Sequence, residues 1–373
     1  MMHTVETTYE LSREEFGKTK DRLYEFSAEN KLRCIPNKEN LAYTKFYEKD
    51  KQSNKNTWSL KLKNGMQIVL AENMFKLNGK ISKTFELNYI INLAKVVGGN
   101  YTDLYNSYTH DYEKVIQVIN KTLELVSPEF PNINNVKIRR VDFSCNIKLR
   151  KNQLESYLKI AQSGKFASRI EATAKDENEK RYKPKNSVKI RNRKDGSVKV
   201  CLYDKRSQME KNSLGDFKND TNAGEILRVE VQISNPKIEN LLSKYKIGNL
   251  EELLKISNRM ALVIFEKYLY KNFCAGRYYK YDNAMELIKR SHFNKKIKTR
   301  MLIFLESVKK GKSIEVGIEK FKNEGYKGQE ASKMRKRFDQ LNINPYTLGK
   351  REEDKELDNL FSCILFEMRE VIS

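Results

Sequence analysis

Strict alternation of apolar and polar side chains in three separate segments is the feature that most constrains how this chain folds. The segments are RRVDFSCNI at 139–147, SVKVCLYDK at 197–205 and ILRVEVQI at 226–233. Successive side chains of a β-strand point to opposite faces, so each segment has one apolar and one polar face. We therefore predict three half-buried strands that are neighbours in one antiparallel sheet.

Two short turn sequences support a sheet built from hairpins. Asn64-Gly65 lies between WSLKLK and MQIVL, and Lys194-Asp195-Gly196 lies between VKIRNR and SVKVCLYDK. Asn-Gly and Asp-Gly pairs favour the backbone conformations of tight hairpin turns. Because alternating segments flank both turns, we predict a hairpin at each.

Helical spacing occupies much of the remaining chain. Apolar residues recur at helical intervals in 13–30, 84–126, 152–163 and most of the chain after Asn249, where no strand pattern is found. The predicted fold class is α+β, with a central antiparallel-sheet domain and an all-helical C-terminal domain. The predicted domains are a polar and helical N-terminal extension over 1–50, the sheet domain over 51–245 and the helical domain over 246–373.

The charge of the chain points to an anionic partner. Its 373 residues carry a formal net charge of +23, and basic residues are concentrated between Lys175 and Lys211. Such a chain repels itself unless an anion neutralises it, and nucleic acid is the usual partner, bound with a strong dependence on salt. One alternative stays open. Lysine is also a common surface residue in the proteomes of AT-rich organisms, and the abundant Asn, Ile and Tyr agree with that explanation.

The spacing of the cysteines, the small number of histidines and the hydropathy of the chain argue against several classes of protein. The five cysteines lie far apart in the sequence and three histidines offer few zinc ligands, so we expect buried, reduced thiols and no zinc site. No window approaches 18 consecutive apolar residues, and the charged N-terminus does not resemble a secretory signal. The expectation is a cytoplasmic protein with no membrane partner.

The polar faces of the three segments carry side chains of types that bind metal ions or react with phosphodiesters. Tyr203 and Lys205 share the polar face of one segment, Asp142 lies on the second and Glu230 on the third. Two neighbouring carboxylates need a cation between them, and oxygen ligands suit Mg²⁺ or Mn²⁺. A metal ion polarises a phosphodiester, a tyrosine hydroxyl attacks phosphorus, and a lysine stabilises the phosphate charge.

A structural explanation of the same residues stays open. Polar side chains on an antiparallel sheet are commonly solvated or ion-paired, and Arg140 and Arg228 are placed to pair with Asp142 and Glu230. Glu72 is a further acid near the first hairpin, where a role in the hairpin is the simpler explanation.

At these residues the chain resembles the gene II / gene X replication initiators of filamentous phages and related plasmids. IRRVDFSCNI is similar to the family's Arg-hydrophobic-Asp strand, VCLYDK to its Tyr-x-Lys strand and LRVEVQI to its Arg-x-Glu strand. IVLAENMFKLNGK resembles an upstream strand of the family, and the stretch from FLESVKKG to SKMRKRF, which contains NEGY, resembles its C-terminal helical segment. The likeness runs in order along most of the chain.

The resemblance implies a sheet-based nicking domain and a rolling-circle replication initiator. Such an enzyme nicks one strand of a double-stranded origin, keeps a 5′-phosphotyrosine and leaves a free 3′-OH primer. It later cuts and rejoins the displaced single strand. Carried over to this chain, Tyr203 is the nucleophile, Lys205 its neighbour in the motif, and Asp142 and Glu230 the candidate ligands of Mg²⁺ or Mn²⁺. A host helicase is a candidate partner.

The chain departs from the wider nicking superfamily because it lacks a His-hydrophobe-His metal motif. Either carboxylates hold the ion, or the comparison with that superfamily is loose.

The C-terminal segment SIEVGIEKFKNEGYKGQEASKMRKRFDQL suggests a helix, a glycine-containing break and a basic helix, compatible with helix-turn-helix DNA binding. The basic side chains expected to contact DNA are Arg140, Lys189, Arg191, Arg193, Arg228, Lys333, Arg335, Lys336 and Arg337. The rival functions are a non-catalytic DNA-binding protein of replication control or partition, and an RNA-binding protein.

Overall fold

The structure is a computed structural model of the whole chain. It describes residues 1–41, 53–77, 80–100, 102–163, 174–175, 181–182, 185–191, 196–211, 225–270, 275–349 and 352–370. The chain divides into two compact units, each made of two stretches of sequence. Unit 1 comprises 1–143 and 232–260, and unit 2 comprises 144–231 and 261–373.

Both units combine strands and helices. The strands are β1 (Met2–Leu11), β2 (Cys34–Leu41), β3 (Ser53–Lys61), β4 (Met66–Leu77), β5 (Lys80–Asn92), β6 (Lys137–Lys148), β7 (Ala174–Lys175), β8 (Arg181–Tyr182), β9 (Ser187–Arg191), β10 (Val198–Asp204), β11 (Ile226–Ser234), β12 (Tyr278–Tyr279) and β13 (Glu356–Leu357). The helices are α1 (Arg13–Glu29), α2 (Leu93–Val96), α3 (Tyr112–Val126), α4 (Lys151–Ser163), α5 (Lys205–Lys211), α6 (Lys237–Tyr245), α7 (Leu250–Lys255), α8 (Ser257–Phe265), α9 (Tyr281–Arg290), α10 (Lys295–Gly311), α11 (Ile314–Asn323), α12 (Gly328–Gln340) and α13 (Leu360–Glu370). The predicted class, mixed helix and sheet with a large antiparallel sheet, is confirmed.

The sheet of unit 1 has the strand order β2-β3-β4-β5-β1-β6. Strands β3 and β4 form the hairpin predicted at Asn64-Gly65, with Leu60 opposite Ile68. Gly65 has a φ of 84°, a left-handed conformation that favours glycine, and the Asn64 side chain accepts a hydrogen bond from the Met66 backbone at 3.3 Å. The turn chemistry read from the sequence therefore sets the register of this hairpin.

The N-terminal segment is part of the sheet of unit 1. Strand β1 pairs antiparallel with β5 and with β6, and Val5 is fully buried. Residues 1–41, the described part of the predicted N-terminal extension, thus contribute strands β1 and β2 and helix α1 to unit 1. Helix α1 follows where the sequence predicts it. Its start is fixed by a capping box in which Ser12 and Glu15 exchange side-chain to backbone hydrogen bonds of 3.2 and 2.7 Å.

The predicted helix over 84–126 is wrong in its first part. Strand β5 extends to Asn92, and the main helix of this region begins at Tyr112. The residues Phe85, Leu87, Tyr89 and Ile91 alternate with polar or outward-facing neighbours, so a period of two competes with the helical period. Antiparallel partners on both sides of β5 decide the outcome in favour of the strand.

The strands of unit 2 follow the order β6-β11-β10-β9. The predicted hairpin of β9 and β10 is confirmed, with Tyr203 opposite Ser187; its turn residues 192–195 lie outside the described part of the chain. Neighbouring strands β6 and β11 are joined by backbone hydrogen bonds from Leu149 to the Glu225 carbonyl at 2.9 Å and from Asn235 to the Arg139 carbonyl at 3.2 Å, so they run antiparallel. In this register the side chain of Arg228 is opposite Asn146.

The C-terminal stretch of unit 2 is mostly helical. Helices α9 to α12 enclose an aromatic core in which the Phe304 ring lies 5.2 Å from Phe321 and 5.9 Å from Phe338, measured between ring centroids. The expectation of an all-helical domain is not confirmed, because β12 and β13 form a short antiparallel ladder. Two-residue strands carry too few side chains for a two-residue period to be visible in sequence.

Two glycines within helices give opposite expectations for substitution by alanine. Gly317 lies at the crossing of α10 and α11, where a Cβ would lie 2.6 Å from the Val308 Cα, whereas a Cβ on Gly17 would meet nothing within 4 Å. Gly317→Ala should lower the free energy of unfolding by about 1–3 kcal/mol through overpacking. Gly17→Ala should raise it by roughly 0.5–1 kcal/mol because alanine favours the helix. Urea unfolding of both variants checks the pair, and equal shifts in the same direction would contradict this packing.

No described helix is both long enough and apolar enough to cross a membrane. Among the described cysteines, Cys145 and Cys201 are buried free thiols, as expected, whereas Cys34 and Cys363 are free thiols that are only partly buried.

Candidate active site

Tyr203 and Glu230 meet on the polar face of the sheet in unit 2. The Tyr203 hydroxyl donates a hydrogen bond to Glu230 Oε2 at 3.0 Å. Tyr203 is the penultimate residue of β10, and Glu230 lies in the middle of the neighbouring strand β11. Strand pleating thus brings together the phenol and one of the two acids, as alternation in the sequence predicts.

The pairing of β9 with β10 defines what else shares this face. Directly opposed residues of an antiparallel pair point to the same side of a sheet. Lys189 is opposite Cys201, and Arg191 is opposite Lys199, so these cations lie on the face that carries Tyr203. Both Lys189 and Arg191 are exposed, on a strand at the end of the sheet order. The third predicted cation of this segment, Arg193, lies outside the described residues.

The surroundings of Tyr203 disfavour its ionised form. Burial raises the pKa of the Tyr203 phenol well above its ordinary value, and the negative charge of Glu230 adds to the shift. The positive charge of Arg228 acts in the opposite direction and is smaller in effect than burial. At neutral pH the phenol is therefore protonated, and any reaction of its oxygen with an electrophile requires a base that removes the proton.

Arg228 is part of the interior rather than of a DNA-contacting surface. It is fully buried, and its Nε donates to Asn146 Oδ1 at 2.8 Å. The expectation that Arg228 contacts DNA is corrected by this burial, because a phosphate backbone at the surface does not reach a fully enclosed guanidinium. Arg228 lies two residues before Glu230 on the same face of β11, and its positive charge acts on Tyr203. Asn146 was not among the predicted residues, although its place on the polar face of β6 follows from the same alternation.

Lys205 does not continue the strand that carries Tyr203. Strand β10 ends at Asp204, and Lys205 is the first residue of α5, so its side chain leaves the alternation of the strand. It is buried, and its Nζ donates to Gln208 Oε1 at 2.8 Å within the same helix. The Asp204 side chain accepts hydrogen bonds from the Arg206 backbone and from Ser207, which starts this helix. The predicted placement of Lys205 beside Tyr203 on one strand is therefore wrong.

Asp142 belongs to unit 1, where it forms an ion pair with Arg140. The guanidinium donates to both carboxylate oxygens, at 2.8 Å from Nε and 2.6 Å from Nη2, while Nη1 lies 3.4 Å from Glu6. Asp142 is 1% exposed. The ion-paired alternative raised from the sequence therefore describes this pair, and Arg140 is committed to carboxylates rather than presented to a phosphate.

Substitution of Arg140 should lower the free energy of unfolding much more than substitution of its neighbour Arg139. Arg140→Met leaves the buried Asp142 carboxylate without its bidentate partner, and we expect a loss of about 3–5 kcal/mol in the free energy of unfolding. The control is Arg139→Met, since Arg139 pairs at 3.0 Å with Glu86 at a more exposed position, which should cost at most about 1 kcal/mol. Urea titration measures both, and losses of equal size would show that the Asp142 pair has no special structural weight.

Among the described residues there is no group of three or more His, Cys, Asp or Glu side chains that are close enough to hold a metal ion together. Asp142 is engaged through both oxygens with Arg140, and Glu230 accepts from Tyr203. The two predicted ligands thus already have protein partners, and the donor set is not that of a ready-made Mg²⁺ cage. Glu72, the third acid considered, accepts from Lys83 at 2.7 Å and from Asn56 at 2.8 Å in unit 1.

The basic helix predicted near the C-terminus is α12. It follows α11 after a short turn in which Gly325 has a φ of 90°, as the predicted helix-break-helix pattern requires. Lys333 and Lys336 are exposed, opposite the side that buries Ala331, Met334 and Phe338. Arg335 and Arg337 are partly buried. The Arg337 guanidinium lies 5.0 Å from the Phe293 ring and donates to Gln340, so it supports the fold.

No protein-family model and no curated protein matches this chain.

Proposed function

We propose that the protein nicks one strand of DNA and transfers it through a covalent phosphotyrosine at Tyr203, as an initiator of rolling-circle replication does. The observation that supports this most directly is the 3.0 Å hydrogen bond from the Tyr203 hydroxyl to Glu230. A nucleophile within hydrogen-bond reach of a carboxylate base is the arrangement on which covalent catalysis depends. The net charge of +23 favours an anionic electrophile, and a phosphodiester of DNA is such a group.

The reaction follows from what the two side chains can exchange. The Tyr203 oxygen attacks phosphorus while its proton passes to the Glu230 carboxylate. The bond between phosphorus and the 3′ oxygen breaks, and that oxygen takes a proton from water to become a free 3′-OH. The 5′ side of the cut strand stays on Tyr203 as a phosphodiester. In strand transfer the 3′-OH of a DNA end attacks the phosphorus of this phosphotyrosine and loses its proton to water. The bond between phosphorus and the Tyr203 oxygen breaks, and Glu230 returns its proton to that oxygen.

The protonated phenol makes the carboxylate necessary. Because burial raises the pKa of Tyr203, the phenolate is scarce at neutral pH, and the proton must leave as the bond to phosphorus forms. Arg228, two residues before Glu230 on the same face of β11, offers positive charge that offsets the negative charge gathered in the transition state. Lys189 and Arg191 on the same face of the sheet are suited to hold the phosphates of the bound strand.

A divalent ion remains part of the proposal. Mg²⁺ or Mn²⁺ would neutralise phosphodiester charge, and in unit 2 the Glu230 carboxylate would supply an oxygen ligand of the kind such ions take. Because Glu230 already accepts a hydrogen bond from Tyr203, no step above depends on the ion. Double-stranded origin DNA and the displaced single strand are the proposed partners, with Lys333 and Lys336 of α12 as proposed phosphate contacts.

The experiment that tests this function traps the covalent intermediate. The protein is incubated with supercoiled DNA and, separately, with a pool of single-stranded oligonucleotides of random sequence, with Mg²⁺ and with a chelator. The proposed function predicts a protein–DNA adduct that survives denaturant and is digested by nuclease. Binding of both DNAs with no adduct in any arm would leave a DNA-binding protein without nicking activity.

Non-catalytic DNA binding is the second candidate function, favoured by two observations. Asp142 is held by Arg140 as a structural ion pair, and the phenol of Tyr203 is shielded from ionisation. In that case the contact of Tyr203 with Glu230 is a satisfied polar pair inside the sheet.

A further inference from the structure

A cavity of about 480 Å³ opens between α1 and strands β3 to β5 in unit 1. We name it the Trp58 pocket, defined by Arg13, Phe16, Lys20, Asn56, Trp58 and Phe85. Its volume lies within the range of small-ligand sites, roughly 300–1,000 Å³. None of the residues proposed to act in nicking lines it.

Three aromatic rings form one side of the Trp58 pocket. The rings of Phe16 and Trp58 are 5.5 Å apart between centroids and meet edge to face, and Phe16 lies 4.7 Å from Phe85. All three side chains are only partly buried. Phe16 thus supports Trp58 from one side, while part of the aromatic surface remains accessible to a flat ligand. Exposed aromatic rings at a pocket mouth are the usual stacking surface for nucleic-acid bases.

Cationic side chains surround these rings. Lys20 Nζ lies 4.7 Å from the centroid of the Trp58 ring, and Arg13 and Lys83 also line the cavity. Two acids are present, Asp21 and Glu72, but Glu72 is neutralised by Lys83 at 2.7 Å. The cations therefore outnumber the acids, and the cationic rim suits an anionic group attached to a flat, apolar one.

The polar wall of the pocket is held in a fixed arrangement. Asn56 donates to Glu72 at 2.8 Å, and the hydrogen bonds from Lys83 and Asn56 lower the pKa of Glu72, which keeps it charged. An amide that is fixed in this way presents both a donor and an acceptor, as the edges of nucleobases require. On the opposite wall Gly17 leaves open space, because a Cβ at this position would meet no atom within 4 Å.

We propose that the Trp58 pocket binds one unpaired nucleotide of single-stranded DNA, with its base stacked against Trp58 and its phosphate near Arg13 and Lys20. A duplex stacks both faces of every base on its neighbours, so only an unpaired base can use this aromatic surface. The choice of DNA rests on the proposed function, in which a displaced single strand is a substrate. The pocket adds a site that captures this strand outside the nicking centre.

The chain provides its own reporter for this site. Trp58 is the single tryptophan among 373 residues, so intrinsic tryptophan fluorescence reports on this pocket alone. Titration with a short oligo(dT) should quench this fluorescence to saturation, while a duplex of the same length should leave it nearly unchanged. Undiminished fluorescence at oligo(dT) concentrations that saturate binding by anisotropy would overturn the proposal, as would equal quenching by the duplex or quenching by oligo(rU) alone.

Substitutions distinguish binding of DNA in the Trp58 pocket from nonspecific electrostatic binding to the basic surface. Trp58→Ala should weaken oligo(dT) binding by roughly 5- to 150-fold, the effect of one lost base stack. Trp58→Phe keeps a ring and should retain most of the affinity, and it controls for folding. Lys20→Gln should weaken binding more than Lys18→Gln, since Lys18 is exposed on the same helix and pairs with Glu14 at 2.8 Å. Equal effects of the two lysine changes would contradict a phosphate contact in the pocket.

The pocket and the nicking centre are tested independently. Tyr203→Phe should leave the quenching unchanged. Quenching without an adduct would contradict the proposed nicking function and support the proposed nucleotide site in the Trp58 pocket. An adduct without quenching would contradict the nucleotide site and support the nicking function.

Discussion

Tyr203→Phe should abolish the denaturant-resistant protein–DNA adduct while DNA binding stays unchanged. The substitution removes only the hydroxyl that donates to Glu230 at 3.0 Å, and phenylalanine has no oxygen with which to attack phosphorus. The strand keeps its shape, because the lost hydrogen bond costs at most about 1–3 kcal/mol. Adduct yield on denaturing gels, together with binding measured by anisotropy, gives the result.

The control for this variant is Tyr157→Phe. Tyr157 is a buried tyrosine of unit 2, whereas Tyr203 is partly buried, and the Tyr157 hydroxyl donates to the Asp358 carbonyl at 2.9 Å. Its loss should lower stability by a similar amount and leave the adduct intact. Full adduct yield from Tyr203→Phe would remove Tyr203 from the mechanism, and equal loss from both variants would point to general destabilisation.

Glu230→Gln should slow adduct formation by about 10²- to 10⁴-fold, the usual contribution of a general base. Glutamine has the same shape and still accepts a hydrogen bond from the Tyr203 hydroxyl, but it does not take up the proton. The matched control is Glu210→Gln, because Glu210 lies in the same unit, is exposed and pairs along its helix with Arg206 at 3.3 Å. Single-turnover rates of adduct formation measure both.

The rate that remains in Glu230→Gln should depend steeply on pH. Without the carboxylate, reaction proceeds through the phenolate, whose fraction grows about tenfold for each pH unit below the phenol pKa. Since the pKa of Tyr203 is raised, this increase should continue throughout the alkaline range without levelling off near pH 10. A residual rate that stays flat from neutral to alkaline pH, or a variant as fast as the parent chain, would show that Glu230 is not the base.

Local patterns predicted the strands that matter for the site. Alternation in VKVCLYD and ILRVEVQI placed Tyr203 and Glu230 on polar faces, and neighbouring strands then brought them within a hydrogen bond. The Asn-Gly pair set the register of the β3–β4 hairpin. These predictions succeeded because pleating and turn conformation depend on a few adjacent residues.

The sequence did not predict which side chains pair with one another, or the residue at which a strand ends. The sequence permits Arg140 to pair with Asp142, but it does not show that the guanidinium binds both carboxylate oxygens. Asp204 ends its strand by accepting hydrogen bonds at the start of α5, so Lys205 is the first residue of a helix rather than the last residue of β10. The burial of Arg228 depends on what covers the sheet, which no alternation reports.

The Trp58 pocket shows the same limit. Its residues come from α1 and from three strands, and in sequence they are separate apolar or basic positions. Only the packing of α1 against β3 to β5 turns a lone tryptophan and a lysine from another element into neighbours 4.7 Å apart.

The most direct test is to locate the covalent bond itself. The trapped adduct is digested with nuclease and protease, and mass spectrometry identifies the peptide that carries a nucleotide. We predict a 5′-phosphodiester on the peptide that contains Tyr203. A nucleotide on another tyrosine, such as Tyr182, or the absence of any modified peptide from a chain that binds DNA, would contradict the proposed role of Tyr203.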